Sequence, residues 1–259
     1  MSSNNLTMFR PKVVSAGRGA SWLFEGFEFF TKDWPAWLGV TIIFFVLTLF
    51  VSIIPLGNLV FIILLPTFFA GFMLGCKQQA QGHKFTIGHL FTGFTRNFSQ
   101  LLILGVLHTI GLLIIAICMG GILVILLGGM DAFLNTIGGL IDAFKDRNYL
   151  QLIEQISNFS QAILIADLVG LALYMPLLML VWFAPALVVL ADLTAIEAMQ
   201  KSFTGCLLNV MPYTIYSLVG LLLAILATLP LAVGWLILFP VTIISIFISY
   251  QDVFESTAE

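Results

Sequence analysis

The sequence predicts an all-α, polytopic membrane protein: six transmembrane helices in a bundle, with amphipathic helices lying at its cytoplasmic edge. Three observations predict it. Hydrophobic residues make up 60% of the 259 positions and charged ones only 9%, with a mean hydropathy of +1.10; a soluble domain carries about a quarter of its residues charged. Six runs are apolar over the roughly 20 residues that a helix needs to cross about 30 Å of hydrocarbon. A short amphipathic segment recurs ahead of the helix pairs.

The same composition excludes several classes. A net charge of −3 without a dense basic run argues against nucleic acid as a partner. Cys76, Cys118 and Cys206 are an odd number at wide spacings with no CxxC, so neither a disulfide framework nor a metal site is expected, and each reads as a small buried hydrophobe. No cofactor is called for. The opening "MSSNNLTMFRPKVVSAGRGAS" lacks an apolar core ahead of a small-residue cleavage site, so the mature chain is expected to begin at or near Met1.

The elements follow in order along a single membrane domain, 1–259. Residues 1–33 form an N-terminal arm and interfacial helix. The first hairpin, 36–75, has spans at 36–54 and 59–75 around the turn "PLGN". Residues 76–100 are an interfacial loop and helix. The second helix pair, 101–190, has spans at 101–127 and 163–190, the first long enough to tilt. Residues 191–211 form another interfacial helix, and the third hairpin, 213–250, turns across "PLAVGW" before a tail at 251–259.

Positive charge sets the orientation. Arg10, Lys12, Arg18, Lys32, Lys77, Lys84, Arg96 and Lys201 fall on one side of six spans, and only Lys145 and Arg147 on the other. The bias places both termini in the cytoplasm of a bacterial inner membrane. Residues 130–161 are then an outer loop carrying Asp131, Asp142, Asp146 and Glu154. Its apolar positions, Ile137, Leu140, Ile141 and Phe144, then Leu150, Ile153 and Ile156, predict two short amphipathic helices. They form an interfacial cap or a docking surface.

An internal repeat organises the rest. "FTGFTRN" at 91–97 and "FTGCLLN" at 203–209 align at an offset of 112. Ile87, Phe91, Phe94 and Phe98 in one copy, and Met199, Phe203, Cys206 and Val210 in the other, make an apolar stripe on a short helix lying in the membrane plane. "WLFEGFEFF" is a looser third copy, with Phe24 and Gly26 matched and Phe30 where the others have Asn. The unit is an interfacial helix plus a hairpin, used three times. Gly and Asn lie about 40° apart on a helix, and Ala198, Ser202, Gly205 and Asn209 extend an almost wholly small face suited to close packing in lipid. Gly26, Gly93, Asn97, Ser202, Gly205 and Asn209 therefore read as a structural joint, each Asn capping the span that follows it. On that reading Asn209→Ser keeps most of the stability that Asn209→Ala loses. A headgroup or ligand contact is the other reading.

"SAGRGASWLFEGFEFF" and "WFAPALVVLADLTAIEAMQKSFTGCLLNVMPY" resemble a group of bacterial multi-pass inner-membrane proteins. More distantly they resemble the YciC-like proteins and the membrane domain attached to some glycerophosphodiester phosphodiesterases. The shared pattern is an aromatic-Ala-Pro turn followed by Ala, Ser and Asn, here Phe183, Ala184, Pro185, Ala198, Ser202 and Asn209. The resemblance implies a six-helix inner-membrane protein and carries over no catalytic residue.

Chemistry is sparse. His108 and Asp167 are the ionisable side chains within the spans, candidates by default because charge in hydrocarbon is costly. The residue count places them at different depths, which predicts that they do not meet: a bonded neutral His and an Asp capping the fourth span. His83 and His89 have no carboxylate at ligand spacing, and no hydrolase, zincin or phosphate-loop motif occurs. An enzyme is not expected. Pro66 and Pro240 occupy corresponding places in two hairpins, as broken helices do around transporter sites. The sequence thus points to a scaffold or accessory subunit that contacts membrane lipids or another membrane protein. The alternative is a small carrier or lipid-handling protein with its site between the Pro-broken hairpins.

Overall fold

The computed structural model describes residues 10–255, apart from the side chains of residues 154 and 158. The first nine residues of the N-terminal arm, the last four of the tail and the Glu154 carboxylate of the outer loop lie outside the described residues. Every regular element among them is helical. Six helical stretches are long and apolar enough to span: Trp34–Ser52, Gly57–Ala80, Phe98–Leu126, Tyr149–Leu190, Val210–Thr228 and Trp235–Phe254. These are the six runs expected.

Helix α1, Arg18–Thr31, precedes α2, Trp34–Ser52. Pro35 stands in the first turn of α2, where its missing N–H has no partner to lose. Leu56, in a left-handed conformation, turns the chain into α3, Gly57–Ala80. A 3-10 helix, Ile87–Phe94, leads to α4, Phe98–Leu126. Then follow α5, Met130–Lys145, and α6, Tyr149–Val181. Short α7, Ala184–Leu190, and α8, Ala195–Leu208, precede the last pair, α9, Val210–Thr228, and α10, Trp235–Phe254.

The described chain forms two compact units. Residues up to 108 and from 179 onward make the first, and residues 109–178 the second. The first has an aromatic-rich core: Trp37, Phe44, Phe68, Phe72, Phe183, Phe247, Tyr250 and Phe254 are all buried. In the second, α4 and α6 run antiparallel, with Gly111 against the Leu177 side chain and Gly170 against Met119, while Gly139 of α5 faces Gln155.

Four local expectations are corrected. The second amphipathic helix of the outer loop is the start of α6, which runs unbroken for 33 residues, about 50 Å at the helical rise, because residues 149–169 contain neither Gly nor Pro. Asp167 therefore lies on an exposed face in the interior of a helix and caps nothing. The fourth span breaks at Trp182 and Phe183, since Pro185 cannot donate to the preceding turn.

The fourth correction concerns "FTGFTRN", which forms a 3-10 turn where an α-helix was expected. Gly88 and Gly93 within eight residues weaken the α form, and in the tighter winding residues three apart eclipse. The buried ridge is accordingly Leu90 and Gly93, while Ile87 and Phe91 stay exposed. In α8 and at its end the small residues Ala198, Ser202, Gly205 and Asn209 are all buried.

Candidate functional site

The joint residues meet neighbours far away in sequence. Asn209 is fully buried at the α8–α9 corner. Its Oδ1 accepts from the Val14 backbone N–H at 2.8 Å, and its Nδ2 donates to the Lys12 carbonyl at 2.8 Å and to Gly205 O at 2.9 Å. The side chain thus pairs with the backbone of the segment ahead of α1, and α9 receives no side-chain cap from it. The capping role expected for Asn209 is replaced by a clamp on the segment that leads into α1.

Asn97 does related work at the next corner. It sits in a left-handed conformation, φ 54°, which Asn tolerates better than most residues. Its Nδ2 donates to Val188 O at 3.2 Å and to Asp192 Oδ1 at 3.3 Å, and Gln100 Oε1 accepts from Ala195 N at 2.8 Å. These bonds hold the segment leading into α8. At the first corner Phe30 is buried in the core, and the polar partner is Asp33, whose Oδ2 accepts from Phe85 N at 3.3 Å ahead of the 3-10 helix. Spacing did not reveal Asp33 because α1 runs on to Thr31, five residues past Gly26, whereas α8 ends three residues past Gly205; the signal was the Trp-Pro that follows, marking a helix start.

The glycines serve close approach. A Cβ on Gly26 would stand 2.9 Å from the Val241 carbonyl oxygen, and one on Gly93 would overlap the Thr67 carbonyl. Val241 follows Pro240 and Thr67 follows Pro66, so each glycine rests on the backbone just after a helix-interrupting proline. A Cβ on Gly205 would stand 2.7 Å from the Phe254 ring instead. Ser202 closes the break after α6: its Oγ donates to Met179 O at 2.7 Å and accepts from Phe183 N at 2.9 Å. Two backbone groups freed by Pro185's turn thereby find a partner.

A half-buried charged cluster, unforeseen from spacing, joins α1 to the end of α10. Arg18 Nε donates to Asp252 Oδ2 at 2.6 Å, Trp22 Nε1 donates to the same oxygen at 2.7 Å, and Arg18 pairs with Glu25 at 2.5 Å. The Glu25 carboxylate, aided by Asp252, holds the guanidinium above its ordinary range although partial burial pulls it down. The only sequence signal was charge at the edge of apolar runs.

At the start of α8, Thr194 and Glu197 form a capping box, Thr194 Oγ1 donating to Glu197 Oε2 at 2.8 Å. The threonine's hydrogen bonds draw the Glu197 carboxyl below its usual value. Burial lowers Lys201 against the pull of Glu197, and burial pushes the Cys206 thiol up to about 12.

The remaining candidates do not converge. Pro66 and Pro240 are buried, and the space between their helices is filled by rings: Phe44 to Phe239 at 5.4 Å, Phe72 to Phe239 at 5.9 Å, Phe44 to Phe72 at 5.6 Å. His108 ends the first unit, and its Nε2 has no hydrogen-bond partner among the described residues. Asp167 belongs to the second unit. Among the described residues no group of three His, Cys, Asp or Glu side chains is placed to hold a metal ion.

Six apolar helices in an all-helical chain define a multi-pass membrane protein. A probable inner membrane protein of Burkholderia thailandensis is 27% identical over 222 residues, which cover 82% of this chain and 75% of that protein. The similarity agrees with an inner-membrane protein. No family model and no solved structure matches the chain.

Proposed function

We propose that the chain is a non-catalytic scaffold or accessory subunit of the bacterial inner membrane, acting through contacts with lipid or another membrane protein. The observation that carries this is the packing between Pro66 and Pro240: where a carrier needs a polar cavity, Phe44, Phe72 and Phe239 are in mutual ring contact. Polar side chains at the corners are spent on the chain's own backbone, as Asn209, Asn97 and Ser202 are.

The three-repeat reading draws support from the order of contacts. Each short amphipathic element lies on a helix of another repeat: α1 on α10, the 3-10 helix on α3, α8 on α7. Each corner residue in turn holds the lead-in of another such element: Asp33 for the 3-10 helix, Asn97 for α8, Asn209 for α1. A cyclic pattern of this kind is what three copies of one unit would make. We assign the three short elements to the cytoplasmic interface, with both termini on that side, on the distribution of Lys and Arg. The proposal keeps the resemblance to the YciC-like proteins and to the phosphodiesterase membrane domain as a likeness of architecture.

The outer segment offers the partner surface: Phe144 is 75% exposed and Leu150 83%. A photo-crosslinking residue at either position, activated in native membranes, should capture one recurring membrane protein at fixed stoichiometry. Crosslinks to lipid alone at both positions would overturn a protein partner at this surface and leave only the lipid contact.

A further inference from the structure

Helix α5 and the start of α6 form a helical hairpin. Only residues 146–148 connect them, and a Cβ on Gly139 would stand 3.3 Å from the Gln155 side chain. Those two positions are equally far from the connection, so α5 runs antiparallel beside α6. Gly111 meets Leu177 and Gly170 meets Met119, and that antiparallel register, continued along α4, sets its last residue, Leu126, level with about residue 162. The 149–161 stretch of α6 therefore runs roughly 20 Å past the end of α4, with α5 beside it. Since α4 has 29 residues, about 43 Å, it already exceeds the ~30 Å of a bilayer's hydrocarbon. Lipid chains cannot cover what stands above it.

The hairpin nevertheless carries an apolar seam. Met130, Leu134, Ile137, Ile141 and Phe144 follow one another along α5 at steps of 4, 3, 4 and 3, an unbroken heptad repeat with Leu134 and Ile141 at a and the others at d. At 3.6 residues per turn, Ile137 and Ile141 lie on the far side of the helix from Gly139, which meets α6, and from buried Ala143. Met130, Leu134, Ile141 and Phe144 are 49–75% exposed.

We propose that this seam is closed by the same seam of a second copy of the chain, as a parallel two-stranded coiled coil. Both copies enter the bilayer in one orientation and to one depth, so a twofold axis along the membrane normal sets each a and d residue level with its own counterpart. A foreign partner would have to present a matching repeat at a height that this chain's own spans fix. Beside the seam stand Phe133 and Leu140 on one flank and Asp131, Gly138 and Lys145 on the other. A parallel pair sets the first flank against the second, so no like charges are opposed, and Phe133 of one copy meets Gly138 of the other, where the structure leaves open space. The seam is smaller than the roughly 800 Å² per partner of a freestanding complex; confinement to one bilayer compensates by raising the effective concentration. The inference rests on the partner-binding reading of Proposed function and names the partner.

The test is a cysteine scan of the full chain in native membranes, in a Cys118→Ser background because Cys118 is exposed. Leu134→Cys, Ile141→Cys and Phe144→Cys, made singly, should each give disulfide-linked dimer on mild oxidation, at least fivefold more than Asp142→Cys, which is exposed on α5 and off the seam. Ile137→Lys added to Leu134→Cys should cut that dimer at least fivefold, by opposing like charges across the seam, and leave the melting temperature of the detergent-solubilised monomer unchanged. Dimer that forms as readily at Asp142→Cys as at the seam, or that survives Ile137→Lys, overturns the proposal. A photo-crosslink from Phe144 to a different protein, with no linked dimer at any seam position, also overturns it and leaves the scaffold reading standing. Crosslinks to lipid alone from Phe144, again with no linked dimer, overturn this inference together with any protein partner at the surface.

Discussion

Asn209 and Val14, 195 positions apart, share a 2.8 Å hydrogen bond in which a side-chain oxygen accepts from a backbone N–H. The same side chain donates to Lys12 O, so one amide holds both edges of the segment entering α1. Removing it leaves a backbone donor and acceptor without partners, at a cost of about 1–3 kcal/mol for each group that stays buried. Asn209→Ala should lower the melting temperature in detergent and speed hydrogen exchange at Val14. Asn209→Ser should do nearly the same, since a hydroxyl is too short to span both partners. Exchange at Val14 that matches the wild type in either variant would sink the clamp.

Gly93 and Thr67 make a second prediction. Gly93→Ala drives a methyl group into the Thr67 carbonyl, and backbone cannot give way as a side chain can, so a strong loss of stability is expected. Gly220→Ala in α9 meets nothing within 4 Å, and should be neutral or stabilising by up to about 1 kcal/mol. Comparable melting curves for the two variants would contradict the close approach.

Ser202 bridges a helix break. Ser202→Ala should cost about 1–3 kcal/mol through the stranded Phe183 N–H and Met179 carbonyl, and Ser202→Thr should retain the bonds while crowding the small face. The check is a urea or thermal melt of each variant together with Trp182 fluorescence, which should change in Ser202→Ala. Wild-type stability in the alanine variant would refute the bridge.

Glu197 makes stability depend on pH. Its carboxyl is lowered in the folded state by the Thr194 hydrogen bonds, so its contribution is fully present above the unfolded value of about 4.3 and is lost as pH falls through the lower folded value. A melting temperature followed from pH 7 to pH 3 should fall more steeply for the wild type than for Glu197→Gln across the acidic end. Parallel curves would show that the capping box carries no such linkage.

The sequence by itself determined the class of protein, the number of spans and nearly all of their positions, because crossing hydrocarbon is a demand on local composition that each run of residues meets alone. It also located the small face Ala198, Ser202, Gly205 and Asn209, since helical spacing is local too. Tertiary structure alone decided what those residues touch. Asn97 and Val188 lie 91 positions apart, Asn209 and Lys12 197, and no periodicity encodes such partners. The cap assigned to Asn209 was the local solution; in the folded chain the amide pairs instead with Lys12 O and Val14 N–H, on a half-buried segment that only the tertiary structure brings to it. Asp33 escaped notice for the same reason: its role is set by Phe85, which reaches the corner only once the first hairpin has folded.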